Sequence, residues 1–183
     1  MRRKIIAVTG LIAVILGAYL FAVSVDKDAP KDNEALSMKQ LVHDYSVGNI
    51  KAQSASITSR QLIVTNSDES QITYDLLEDD FFVSLAPYVE NTHPCADHNL
   101  TSYRGEMADE DFIVYIEDMQ GNVIMDQTLK SQSNGFIDLW LPRDNTYRVT
   151  IENEGRAQES EISTFENDNT CITTMQLTEN KSV

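Results

Sequence analysis

From Phe81 to Leu177 the chain is cut into short apolar segments, each closed by turn-forming residues, and this pattern limits the fold most. Phe81 to Ala86 stops at Pro87, and Phe112-Ile113-Val114-Tyr115-Ile116 leads into the turn Asp118 to Asn122. Val123 to Leu129 returns from that turn. A further segment holds Phe136, Leu139 and Leu141 and ends at Pro142. Tyr147 to Ile151 alternates cleanly and turns at Asn153-Glu154-Gly155, and Ala157 to Ser163 and Cys171 to Leu177 complete the set. Successive side chains of a strand point to opposite faces, so short alternating runs at this spacing predict strands. With few helical signals between them, they predict a mainly β protein whose C-terminal part is an antiparallel β-sandwich or barrel.

The segment before Pro87 reads differently. Ser37 to Val47 carries Leu41, Val42 and Tyr45 with Gly48 behind them, the pattern of a short amphipathic helix closed by glycine. Gln61 to Thr65 and Gln71 to Tyr74 flank the loop Asn66 to Ser70, which predicts a β-hairpin. Asp26 to Leu36 is charged, contains Pro30 and has no apolar period, so it reads as a linker. The expected organisation is thus a leader over 1–25, a linker over 26–36, a smaller helix-and-hairpin segment over 37–86, and a β domain over 87–183.

The leader sets the compartment. Arg2, Arg3 and Lys4 precede an uncharged run from Ile5 to Val25, and a polar stretch follows. Basic, apolar, polar is the order of an export signal. The run is also long enough to span a bilayer as a helix. Ala22-Val23-Ser24 offers a weak cleavage site, so a cleaved signal peptide and an uncleaved membrane anchor both fit, and both place the remainder outside the cytoplasm. That remainder holds 11 basic and 29 acidic side chains, a net of −18 within a chain of −15. Such a domain repels polyphosphates, which argues against a nucleic-acid partner. The acidic pairs fall mostly at turns and read as solvated surface, and no EF-hand spacing occurs.

The soft ligands concentrate in two places: Thr92-His93-Pro94-Cys95-Ala96-Asp97-His98 and Thr170-Cys171-Ile172-Thr173-Thr174-Met175. These contain two of the three histidines and both cysteines; His43 stands apart and reads as a surface residue. Thiolate and imidazole are the preferred donors for Cu(I) and Zn(II). His93, Cys95 and His98 on one loop could turn toward a common point, with Cys171 brought beside them and Asp97 orienting an imidazole. The competing reading is a disulfide between Cys95 and Cys171, the commoner fate of two cysteines in an exported protein. Closing that loop of about 76 residues would stabilise the fold by roughly 4 kcal/mol on the chain-entropy model. Spacing alone favours the disulfide, and the two readings are compatible, because a disulfide can cycle with a metal-binding dithiol. A thiol nucleophile with His98 as base lacks any local signature. Cys-x-x-His without a βαβ pattern does not fit a thioredoxin-like enzyme.

At these residues the chain resembles the CueP family of exported copper-binding proteins. The resemblance rests on Ser84-Leu85-Ala86-Pro87-Tyr88-Val89, Thr92-His93, Cys95, His98, Leu100 and Thr101. It continues through Asn134-Gly135-Phe136, Trp140-Leu141-Pro142-Arg143-Asp144, Ile162-Ser163-Thr164, Thr170-Cys171-Ile172-Thr173 and Met175-Gln176-Leu177. It covers about Gln61 to Leu177. The resemblance implies a periplasmic protein that binds copper. It also implies links to copper resistance, to copper supply for a superoxide dismutase and to thiol-dependent Cu(II) reduction, with an N-terminal segment that helps dimerisation. The family pattern has a third cysteine in a Cys-x7-Cys pair; its place here is Tyr103. A phenol does not replace a thiolate toward Cu(I), so the implied site is reduced to Cys95 and Cys171 with His93 or His98.

Three functions follow as expectations. The leading one is an extracytoplasmic protein that holds copper, Cu(I) foremost with zinc as the alternative ion, and passes it to an accepting protein. The second is a cupric reductase that uses Cys95 and Cys171 and an external thiol reductant. The third is a disulfide-stapled β interaction domain that has lost metal binding.

Overall fold

The computed structural model describes residues 31–179. The apolar run expected to be a signal peptide or anchor, and the first part of the expected linker, lie outside the described residues. Among the described residues no helix is long and apolar enough to cross a membrane.

The protein is mainly β, as its segment pattern predicts. Helix α1 (Lys31–Ser46) is followed by β1 (Ser54–Ile57), β2 (Gln61–Thr65), β3 (Gln71–Asp75), β4 (Asp80–Leu85) and β5 (His98–Asn99). Then come β6 (Asp111–Asp118), β7 (Val123–Lys130), β8 (Ile137–Pro142), β9 (Thr146–Asn153), β10 (Arg156–Ser163), β11 (Cys171–Ile172) and β12 (Thr178–Glu179). The helix begins at Lys31, inside the stretch expected to be linker. That stretch contains good helix formers, Glu34, Ala35 and Leu36, but Leu36 is exposed, so no apolar stripe announced the first turns. Gly48, at a positive φ of 78°, ends the helix as expected.

The strands form three sheets with the orders β3-β2-β1-β5, β12-β10-β9-β6-β7 and β11-β4-β8. They stack as layers. One face of the three-stranded sheet packs on the five-stranded sheet through Phe81, Val83, Leu85, Leu139 and Leu141 against Phe112, Val114, Tyr147, Val149 and Ile151. Its other face turns Phe82 and Trp140 toward Val42 and Tyr45 of α1 and toward Ala55, Ile57, Leu62 and Val64 of β1 and β2. β4 is therefore covered on both sides. This is why its sequence is a continuous apolar run rather than an alternating one. Although β4 precedes Pro87, both of its partners, β8 and β11, come after it.

One expected strand is corrected. Cys171 to Leu177 is not one strand: only Cys171–Ile172 pairs with β4, and Gln176 makes an isolated bridge to Tyr88. Both contacts are parallel, whereas the other strand pairings among the described residues are antiparallel. Thr173, Met175 and Leu177 are buried in that irregular segment, so the apolar pattern is real but serves packing rather than a sheet ladder.

Candidate metal and redox centre

The two cysteines meet at one end of the three-stranded sheet. Cys171 lies on β11, almost completely buried, and forms a disulfide with Cys95 of the loop between β4 and β5, with a Cα–Cα distance of 5.6 Å. Three further bonds hold that loop along β11. The Cys171 N–H donates to Ala96 O (3.0 Å), the His98 N–H to Thr170 Oγ1 (3.0 Å), and Thr92 Oγ1 to Thr173 O (2.8 Å). The start of the loop is fixed separately, because the Glu106 carboxylate accepts the backbone N–H groups of Val89, Glu90 and Asn91.

His98 is fully buried, and its Nδ1 lies 3.5 Å from Cys171 Sγ. The donor atoms of Cys95, His98 and Cys171 all lie within 4.8 Å of one another. His93 stays outside that group. Its ring packs edge-on against Tyr103 at 5.3 Å between centroids, while the His98 ring lies 5.9 Å from the same phenol and 4.4 Å from Phe136. Tyr103 thus packs against both imidazoles. Asp97, considered as an orienting carboxylate, is exposed and makes no bond to either ring. Met107 and Met175 belong to the large core, and His43 is exposed.

The Nε2 atoms of His93 and His98 are both buried without a hydrogen-bond partner. A buried imidazole nitrogen left unpaired is costly unless a ligand or proton donor completes it. Burial pushes His98 down to about 4; the Asp138 carboxylate opposes that shift and His93 adds to it. His98 is therefore neutral at pH 7, with a lone pair available for a metal. The donor set suits Cu(I) or Zn(II), but only after the S–S bond opens, because thiolates are the ligating form of cysteine.

Asp138 went unnoticed in the sequence, where it is one acid among many. Cys171 pairs with Ser84, and Ser84 pairs with Asp138, so the three share one rung across β11, β4 and β8. Ser84 Oγ donates to Asp138 Oδ1 (2.6 Å), while Ser46 Oγ and Gln132 Nε2 reach Oδ2 at 2.7 and 3.0 Å. Phe136, the wall beside His98, was read only as a strand residue. It is set by a backbone crossing in which Gly105 and Gly135 approach so closely that a Cβ on Gly105 would meet the Gly135 carbonyl oxygen at 2.4 Å. The glycines were the available signal.

The family profile described as "Periplasmic copper-binding protein CueP" matches residues 40–176, a span that includes His93, Cys95, His98 and Cys171. The crystal structure of S.CueP is similar, at 31% identity and a TM-score of 0.72, covering 82% of this chain and 98% of that one. Among curated proteins, none matches the chain.

Proposed function

The chain belongs to the CueP family, and from that premise we propose that it is an extracytoplasmic copper-binding protein that holds Cu(I) through Cys95, Cys171 and His98. One observation carries the reading: two sulfurs and a neutral, buried imidazole nitrogen converge within 4.8 Å. Cu(I) accepts two or three soft ligands, so this set suffices without a fourth donor. The bonds at Thr92, Ala96 and His98 keep the loop on β11 when the disulfide is reduced, so the thiolates remain apposed. His93 stands beside the group as an auxiliary donor. With Tyr103 where a third thiolate would stand, the site is weaker for Cu(I) and relatively better for Zn(II) than a three-sulfur site. The location outside the cytoplasm is supported by the family description and by the leader. Delivery to a copper-accepting protein, association with a second copy through the N-terminal segment, and export by a leader that is either cleaved or kept as an anchor belong to the same proposal.

The test is a competitive Cu(I) titration of the thiol-reduced protein. Cys95→Ser and Cys171→Ser are each expected to lower affinity by about a hundredfold or more, since each removes a thiolate. If both bind as tightly as the parent, the assignment is wrong.

The disulfide favours a second reading, because it is the product a cupric reductase would leave. In that reaction the two thiols give one electron to each of two Cu(II) ions, lose two protons and join as S–S. Mixing reduced protein with Cu(II) and trapping Cu(I) tests this; absence of Cu(I) with thiols unchanged dismisses it.

A further inference from the structure

The two sulfurs of the disulfide are not equivalent. Cys171 is 2% exposed and sits on β11 beside β4, whose residues Phe82, Val83, Ser84 and Leu85 are fully buried. Ala86 and Phe136 close over it. Cys95 lies in the irregular loop, half-buried, between the exposed residues Pro94, Ala96 and Asp97. Thiol–disulfide exchange needs a thiolate to approach one sulfur from the side opposite the other. Burial encloses Cys171, whereas Cys95, though it packs against the same Ala86 and Phe136 cluster, keeps partial exposure between exposed neighbours.

The charge environment has the same polarity. Breaking the bond leaves a negative sulfur, and the better leaving group is the one whose charge is better stabilised. Cys171 Sγ has His98 Nδ1 at 3.5 Å, and in the Nδ1–H tautomer that nitrogen donates to the thiolate as it forms. Cys95 Sγ instead has the carbonyl oxygen of Asp97 at 3.7 Å, which repels a thiolate.

We propose that Cys95 Sγ is the atom at which external thiols open the disulfide, with Cys171 leaving as the thiolate. An incoming thiolate, RS⁻, attacks Cys95 Sγ. A Cys95–S–S–R bond forms, the Cys95–Cys171 bond breaks, and its electron pair stays on Cys171 Sγ. A second thiolate then takes the R sulfur, releasing R–S–S–R and the Cys95 thiolate. Overall the protein disulfide is reduced by two electrons and two external thiols are oxidised. Cys95 is thus a site of reversible S-thiolation, and Cys171 is the sulfur retained beside His98. The inference bears on the proposed copper site only in that it describes how that site is regenerated.

The experiment uses the oxidised protein without copper. Brief exposure to cysteamine, acid quenching, alkylation with N-ethylmaleimide after denaturation and peptide mapping report which sulfur carries the adduct. Cysteamine is expected on Cys95, with maleimide on Cys171, in about tenfold excess over the reverse, the asymmetry that a partly exposed and an enclosed cysteine produce. Equal adducts, or adducts mainly on Cys171, overturn the proposal. In a second arm, Cys171→Ser and Cys95→Ser are treated with an aromatic disulfide reagent. The free Cys95 is expected to react about tenfold faster than the free Cys171 while folded, and at the same rate in denaturant. Equal rates in the folded proteins overturn it as well. A thioredoxin lacking its resolving cysteine distinguishes the source of the thiol. A trapped complex through Cys95 extends the site to protein thiols, adducts with cysteamine alone restrict it to small ones, and a complex through Cys171 refutes it. Failure here leaves the Cu(I) titration untouched, and failure of that titration leaves this mapping untouched.

Discussion

Protonating His98 means placing a charge among Phe82, Phe136 and Tyr103 with no solvent contact. The native state resists this until pH falls to about 4, whereas the unfolded chain accepts the proton near 6.5. Between those values the unfolded state binds more protons, so stability rises with pH there and is lost as pH falls through the window. The full loss is about 3 kcal/mol for a shift of this size. Carboxylates add their own pH dependence, so the informative quantity is a difference. Urea unfolding of the parent and of His98→Gln at pH 7.5, 5.5 and 4.5 should show the parent's advantage shrinking toward acid. A difference independent of pH would mean that His98 titrates normally. The same ring shows the limit of reading a site from spacing: His93 and His98 look alike in the sequence, yet only His98 reaches the sulfurs. His98 is drawn inward because β5 pairs with β1, whereas His93 lies on the preceding loop.

At the level of elements, the Cys171–Ser84–Asp138 rung joins the centre to the helix. Asp138 accepts from Ser84 on β4 and from Ser46 at the end of α1, so one carboxylate ties the outer layer to the middle sheet. Asp138→Ala would strand Ser46, Ser84 and Gln132, of which Ser84 is fully buried. The expected cost is about 2 kcal/mol, with Asp138→Asn milder because it keeps an acceptor. Denaturant midpoints of the two variants check this, and an unchanged midpoint for Asp138→Ala would show that the network contributes nothing. The long strands β6, β7, β9 and β10 were readable because each has local alternation or a turn that fixes its ends. The short ones were not. β5, β11 and β12 run two residues each, and what makes them strands is a partner distant in the chain, which no local pattern encodes, while the four residues of β1, though paired with the adjacent β2, are too short and too polar to stand out. The apposition of Cys95 and Cys171 has the same origin. Their types and rarity were visible, but the distance between them depends on β11 pairing with β4 while the intervening loop folds back over that edge.

For the whole molecule, a formal charge of −15 surrounds a disulfide whose less buried half, Cys95, lies two residues from the exposed Asp97. A field of one sign slows like-charged reactants, and salt removes the effect once the screening length falls below the separation of the charges. The thiolate of glutathione approaches with a net negative charge, whereas that of cysteamine carries a compensating ammonium. Compared per thiolate, cysteamine should reduce the oxidised protein several-fold faster than glutathione at about 0.01 M ionic strength, where screening reaches roughly 30 Å. At about 1 M, where it reaches roughly 3 Å, the two rates should converge. Lys or Arg replacing Asp97 should narrow the low-salt gap without changing the order of attack, because the remaining acids still set the long-range field. A ratio that stays constant across that salt range would mean that contacts at the sulfur, rather than the acidic surface, select the reductant.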